Sequence, residues 1–280
     1  MPQSKTIDRI AVCSWSLQPR SPEDLVEKLS ACGIQKVQLA LEPLLNDPEI
    51  WSNCCATLAN AGVEIISGMM GCVGEDYSTI QSIKETGGVM PDKTWPATLS
   101  NLTQAAPLAR QLGLKLVTTH AGFIPHEPDS LEFGKGVGRI REAASAFAEY
   151  GVSLALETGQ EPAPVLVEFL KSVKRSDVGV NFDPANMLLY GSGEPIAALS
   201  QLMPFIRQVH IKDALPSGIP GTWGTEVPAG SGAVTWKAFF QTLDAAGFHG
   251  HFVIEREAGA SRIPDIAVAR DMILKLHLDS

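Results

Sequence analysis

Five side chains able to bind a metal or move a proton, His120, Glu157, Asp183, His210 and Glu255, each follow a short apolar run of the kind that forms a buried strand. The clearest case is Val152–Gly159, Val-Ser-Leu-Ala-Leu-Glu-Thr-Gly, where Glu157 stands at the point at which the strand leaves the core. A lone carboxylate in that position is costly or takes a raised pKa. A metal ion, a basic partner or solvent at a strand mouth would each remove the difficulty. Glu157, Asp183 and Glu255 with His210 make three carboxylates and one imidazole. Hard oxygens with a single histidine suit Mn²⁺, Mg²⁺ or Co²⁺, and Zn²⁺ is also admissible. A divalent cation would offset the repulsion among three like charges, one of which would otherwise have to be protonated.

The elements that must position these residues alternate. Strands are expected at Arg9–Leu17, Lys36–Leu41, Val63–Gly71, Leu114–Thr119, at the Val152 run, and at Val178–Phe182, Arg207–Ile211 and His251–Ile254. Helical stretches follow each, the first opened by Ser21-Pro22-Glu23-Asp24 and stopped at Gly33, with a capping serine, an early proline and acids that suit the helix dipole. Residues 72–93, rich in glycine and turn residues, interrupt the rhythm and are expected to form an irregular insertion that could cover a site. Alternating βα units imply a parallel sheet, and eight of them in about 250 residues is the size of a closed (β/α)₈ TIM barrel. The Gly-rich dinucleotide fingerprint of a doubly wound sheet is absent after the first strand, which reads Cys-Ser-Trp-Ser-Leu. The expectation is one barrel domain over 1–280. In such a barrel, function gathers at the C-terminal strand ends, here Trp15, Glu42, Met69 and the five residues named above.

Composition narrows the function classes. A net charge of −9, from 22 basic and 31 acidic residues, weighs against a nucleic-acid partner. The five cysteines, at 13, 32, 54, 55 and 72, include no C-x-x-C pair and are expected to be buried reduced thiols. The N-terminal stretch has no apolar signal core, and no run approaches the ~18 apolar residues of a membrane span. The expectation is a soluble, cytoplasmic protein acting on a small molecule, with homo-oligomerisation left open.

Four segments in order, Leu-Glu-Thr-Gly, Asn-Phe-Asp-Pro-Ala-Asn, Val-His-Ile-Lys-Asp and Val-Ile-Glu, at the fifth to eighth strands, resemble the xylose isomerase-like superfamily. The nearest resemblance is to its sugar phosphate isomerase/epimerase group, which includes ketose 3-epimerases and inosose dehydratases. The resemblance covers essentially the whole chain. It implies that Glu157, Asp183, His210 and Glu255 bind one divalent metal and that Glu157 and Glu255 form an acid/base pair on either face of the substrate. The implied reaction is proton abstraction next to the carbonyl of a sugar, sugar phosphate or cyclitol through a metal-stabilised enediolate, giving isomerisation or epimerisation. A dehydratase or lyase would use the same site with loss of a leaving group. A non-catalytic carbohydrate-binding protein is a third reading.

The chain departs from the ketose epimerases where they carry a histidine three residues after the strand-six aspartate, here Asn186, and an arginine beyond the strand-seven histidine, where Pro216 stands. Substrate contacts are therefore expected to differ. Asn186 and Lys212 are candidates, with Asp213 orienting Lys212; a plain ion pair is the competing reading. The endonuclease IV family shares the barrel and would use His120 as a further ligand, but its multi-metal site needs histidines that this chain lacks. His120 is thus expected to contact substrate or a metal-bound water, and Trp15 to form a wall against a sugar face. Glu226 and the loop 228–233 lie where such barrels often bind phosphate, with glycine amides available to an anion.

Overall fold

The computed structural model describes residues 7–278. Ten strands occur in chain order: β1 (Ile10–Cys13), β2 (Lys36–Ala40), β3 (Glu64–Met69), β4 (Leu116–His120), β5 (Ser153–Glu157), β6 (Val178–Phe182), β7 (Ile206–Ile211), β8 (Asp213–Leu215), β9 (Thr225–Val227) and β10 (Phe252–Ile254). Eight of them close into a parallel barrel in the order β1-β10-β7-β6-β5-β4-β3-β2. This is the TIM barrel expected from the alternation. The remaining two, β8 and β9, form a small antiparallel hairpin immediately after β7, which the apolar pattern did not disclose because each is only three residues long.

The local signals act as their chemistry requires. Ser21 Oγ accepts the Asp24 amide to cap the helix Pro22–Cys32, and Gly33, at φ 64°, ends it. The first strand is shorter than its apolar run: the chain turns at Ser14–Leu17 into a single helical turn, so Trp15 projects from a helix rather than a strand end. Residues 72–93 contain one helix, Ile80–Thr86, opened by a Thr79/Ser82 capping box. The segment is fastened to the end of β4 where Val89 N–H donates to Ala121 O at 3.1 Å. Gly88, at φ 67°, lies so close there that a Cβ would collide with the backbone of Ala121 and Gly122.

Between barrel and helices lies an apolar layer including Phe147, Phe169, Phe182, Phe239, Phe240 and Phe252. Inside the barrel the filling is different. Gln38, Ser67, Thr118, Asn181 and Gln208, all buried, interrupt the otherwise apolar strands. The register sets His120 opposite Glu157, and Glu157 opposite Asn181, so adjacent strand ends deliver their polar groups at one level. Four of the cysteines are buried thiols; Cys55, contrary to expectation, is exposed on its helix. Among the described residues no helix is long and apolar enough to cross a membrane.

Candidate metal centre and substrate cavity

Glu157, Asp183, His210 and Glu255 converge at the C-terminal mouth of the barrel, each offering one ligand atom, all within 4.8 Å of one another. His210 Nδ1 is the hub: Glu255 Oε2 lies 3.2 Å from it, and Glu157 Oε1 and Asp183 Oδ2 each lie 3.6 Å away. His210 Nδ1 and Asp183 Oδ2 are buried with no hydrogen-bond partner. Two unpartnered polar atoms at the centre of a carboxylate cluster are a costly arrangement for a bare protein, and they fit a cluster able to hold a metal ion.

Each group is aimed by ordinary local structure. Asp183 is the N-cap of the helix Pro184–Tyr190: its Oδ1 accepts the amides of Ala185 (2.8 Å) and Asn186 (3.1 Å), which leaves Oδ2 for the centre. His210 is held from below. Its Nε2 lies 2.9 Å from both Gln38 Oε1 and Asn181 Nδ2, and these two amides hold the ring with Nδ1 turned to the cluster. Gln38 is fixed in turn by Thr118 Oγ1 (2.8 Å) and by Gln208 Nε2 (3.0 Å), and Gln208 by Ser67 Oγ (2.7 Å) and Asn181 Oδ1 (3.2 Å). This amide floor was missed in the sequence, where its signal was a polar residue inside each apolar strand.

The electrostatics are polarised. Glu255 accepts the Trp15 indole N–H at 2.7 Å on Oε1 and the Lys212 ammonium at 3.0 Å on Oε2. Burial opposes its charge, but Lys212 and His210 hold its pKa well below the usual carboxylate range. Lys212, itself buried, also pairs with Glu257 at 2.6 Å, and these carboxylates overcome burial to raise its pKa well above normal. Burial pushes Asp183 up to about 6, against the nearby His210 ring and the Lys212 charge. Burial opposes the charge on His210 as well, yet the surrounding acids raise it far above an ordinary imidazole. Glu157 is differently placed: neutral amides serve it, Asn186 Nδ2 at 2.9 Å and Asn181 Nδ2 at 3.4 Å.

Above the cluster opens a cavity of about 690 Å³, lined among others by Trp15, His120, Glu157, Asn186, Lys212, Glu226 and Glu255. Of the residues singled out in the sequence, these seven therefore share one space, with Asp183 and His210 buried beneath it. His120 is anchored by a residue that the sequence reading passed over: its Nδ1 lies 3.0 Å from Glu75 Oε2 and 3.1 Å from the Tyr77 hydroxyl, both on the 72–93 segment. Burial disfavours its charge, but Glu75 and then Glu157 and Glu255 raise its pKa to about 10. Its Nε2 lies 4.0 Å from Glu157 Oε2. Glu226 is tied to Arg256 at 2.7 Å and to the amides of Glu257 and Ala258, so it braces the loop after β10.

Asp213 is a correction. Its carboxylate neither contacts Lys212 nor lines the cavity; it accepts the amides of Ala214, Gly230, Gly232 and Val234 and the Trp236 indole N–H, at 2.9–3.1 Å. The glycine amides of 228–233 expected to cradle a phosphate are thereby spent on a side chain of the same protein. Asp213 shapes the loop and takes no part in the mouth.

Comparison with known proteins agrees with this architecture. Residues 26–276 match the xylose isomerase-like TIM barrel family. A xylose isomerase domain protein of Planctomyces limnophilus is 32% identical, with 91% of this chain and 92% of that one covered and a TM-score of 0.86. Two more distant structures share the fold. The probable 3-DHS dehydratase AsbF of Bacillus anthracis is 19% identical (94% and 98% covered, TM-score 0.71), and an L-ribulose 3-epimerase is 17% identical (97% and 94% covered, TM-score 0.72). The uncharacterised protein YihM of Escherichia coli K12 is 27% identical over 151 residues, 53% of this chain, and the match spans 45% of that relative's length. With the closed barrel, the mouth-directed donor set and a family match over nearly its whole length, the chain belongs to the xylose isomerase-like TIM barrel family.

Proposed function

We propose that the protein is a divalent-metal-dependent isomerase or epimerase of a sugar or cyclitol ketone, working by proton transfer at the carbon next to the carbonyl. The observation that carries this reading is the pair of buried, unpartnered atoms, Asp183 Oδ2 and His210 Nδ1, at the centre of the four-residue cluster. Glu157, Asp183, His210 and Glu255 would hold the ion, with Mn²⁺, Mg²⁺ or Co²⁺ favoured by the oxygen-rich set. A divalent ion there would supply Lewis-acid polarisation of a substrate carbonyl and neutralise the charge that develops on its oxygen.

The two glutamates divide the proton work unequally. Glu255 is locked as an anion by Lys212 and the Trp15 indole, whereas the hydrogen bonds to Glu157 come from the Asn186 and Asn181 amides, with His210 and His120 farther off at 3.6 and 4.0 Å. Glu157 is therefore the base that first takes the α-proton, and Glu255 works on the other face. Lys212 and His120 supply fixed N–H donors to substrate oxygens, and Trp15 covers one side. A dehydratase reading is favoured by one feature: the Lys212–Glu257 contact at 2.6 Å puts an acid/base pair on the cavity wall, where a β-hydroxyl could depart.

Incubation of the metal-loaded protein in D₂O with a panel of ketoses and keto-cyclitols tests the mechanism. Deuterium entering the α-position, with epimer or aldose formation, is the expected result, and α,β-unsaturated product would move the assignment to dehydration. No exchange with any member of the panel would overturn the proton-transfer reading.

A further inference from the structure

The cavity is longer than one sugar ring requires. The helix Pro184–Tyr190 starts at Asp183, so at 1.5 Å per residue Tyr190 lies about 10 Å along its axis from the capped end. At that far end Tyr190 meets Trp223 with ring centroids 4.7 Å apart, and Phe123 backs Tyr190 edge-on at 5.7 Å. Tyr190 and Trp223 both line the cavity. The Trp223 indole N–H is buried without a partner, and Gln160 Nε2 donates to the Tyr190 hydroxyl at 3.3 Å. Two aromatic side chains on the cavity wall, one of them carrying a hydroxyl, are suited to a second ring that is apolar on its face and hydroxylated at its edge. A volume of about 690 Å³ is also that of a site for ligands larger than a monosaccharide.

Charge limits what that second group can be. Glu42, Glu226 and Glu257 join Glu157 and Glu255 around the cavity. Among the described residues Lys212 is the one lysine or arginine on its wall, and it serves the reacting end, where Glu255 and Glu257 also hold it. A phosphate or carboxylate carried by the far group would meet this acidic lining with no lysine or arginine on the wall beyond Lys212 among the described residues.

We infer that the substrate is an uncharged, two-ring compound: a keto-sugar whose reacting ring sits over the metal centre and whose glycosyl or aryl substituent stacks on Tyr190 and Trp223. The inference rests on the proposed function for the reacting end, but the far subsite is read independently of turnover.

Calorimetric titration of the Mn²⁺-loaded protein with three ketoses differing only at O6 tests it: D-fructose, D-fructose 6-phosphate and 6-O-α-D-glucopyranosyl-D-fructose. The glucosylated ketose should bind roughly tenfold tighter than fructose, the scale of one aromatic stacking contact, and the phosphate more weakly than either. Trp223→Ala should bring the glucosylated ketose down to the affinity of fructose, while Trp223→Phe, which keeps a ring, should retain part of the preference. Equal affinities, no binding of the glucosylated ketose, tightest binding of the phosphate, or a preference that survives Trp223→Ala would overturn the inference. Because the preference is a ratio between ligands on one metal-loaded protein, it is separable from the mechanism. Absent deuterium exchange with the preference intact would sink the proton-transfer reading and leave the subsite standing.

Discussion

Lys212 Nζ lies 3.0 Å from Glu255 Oε2, the same oxygen that faces His210 Nδ1 at 3.2 Å, so one carboxylate oxygen is shared between a buried ammonium and a buried imidazole. The lysine is 3% exposed and the glutamate 5%. In that setting the ammonium stands in for part of the positive charge that the cluster demands.

Lys212→Met should therefore leave Glu255 and Glu257 without their counter-charge. Breaking a buried pair in this way is expected to lower the stability of the chelator-treated protein by about 3 kcal/mol. Saturating Mn²⁺ should restore much of the loss, because the added cation takes over the neutralisation and binding to the folded state shifts the equilibrium toward it. Thermal unfolding with EDTA and with Mn²⁺ checks this; a loss unaltered by metal would contradict it.

Asp183 has two separable duties, since Oδ1 caps a helix and Oδ2 faces the centre. Asp183→Asn keeps a capping oxygen and removes the anionic ligand, so it should unfold close to the wild-type temperature in EDTA yet retain little metal. Asp183→Ala loses both, with about 1 kcal/mol of additional destabilisation from the cap. Elemental analysis alongside thermal unfolding of both variants distinguishes the duties. Equal metal content in wild type and Asp183→Asn would remove Asp183 from the ligand set.

Glu161 offers a pH prediction away from the metal centre. It is buried, its Oε2 has no partner, and burial raises its pKa from 4.5 to about 8. A group whose folded pKa exceeds its unfolded value contributes stability fully below pH 4.5, and that stability is lost as pH rises through about 8. Glu161→Gln removes the titration. The variant should match wild type near pH 4 and exceed it near pH 8, by on the order of 3 kcal/mol. Urea unfolding across that range is the measurement, and parallel pH profiles would refute it.

Asp213 holds its loop through five hydrogen bonds, and losing a charged acceptor from such a set is costly. Asp213→Ala should destabilise the protein by ~3 kcal/mol or more. Metal content should be unchanged in the folded fraction. A variant that kept wild-type stability but lost metal would restore Asp213 to the mouth.

The barrel is legible because each apolar run is bounded by turn residues, and the four-residue cluster because its members stand at the C-terminal ends of β5, β6, β7 and β10. Position after a strand does not say which way a side chain turns. Asp183 and Asp213 both follow a strand and both accept backbone amides, yet only Asp183 keeps an oxygen for the centre. Glu75 and Tyr77 were illegible because their approach to His120 depends on how an irregular segment folds back, and no period encodes that. Trp15 lines the cavity although the first strand ends at Cys13, since the helical turn at Ser14–Leu17 carries it there and its indole N–H donates to Glu255.

The amide floor beneath His210 draws on β2, β3 and β4 and, across the barrel, on β6 and β7, and Gln208 joins the two groups. An arc of the barrel, or a fragment ending before β7, would leave these glutamine and asparagine amides to water and without their partners across the ring. Closure is thus what brings the supports of His210 together, and its orientation is a property of the completed ring and of no smaller part of it.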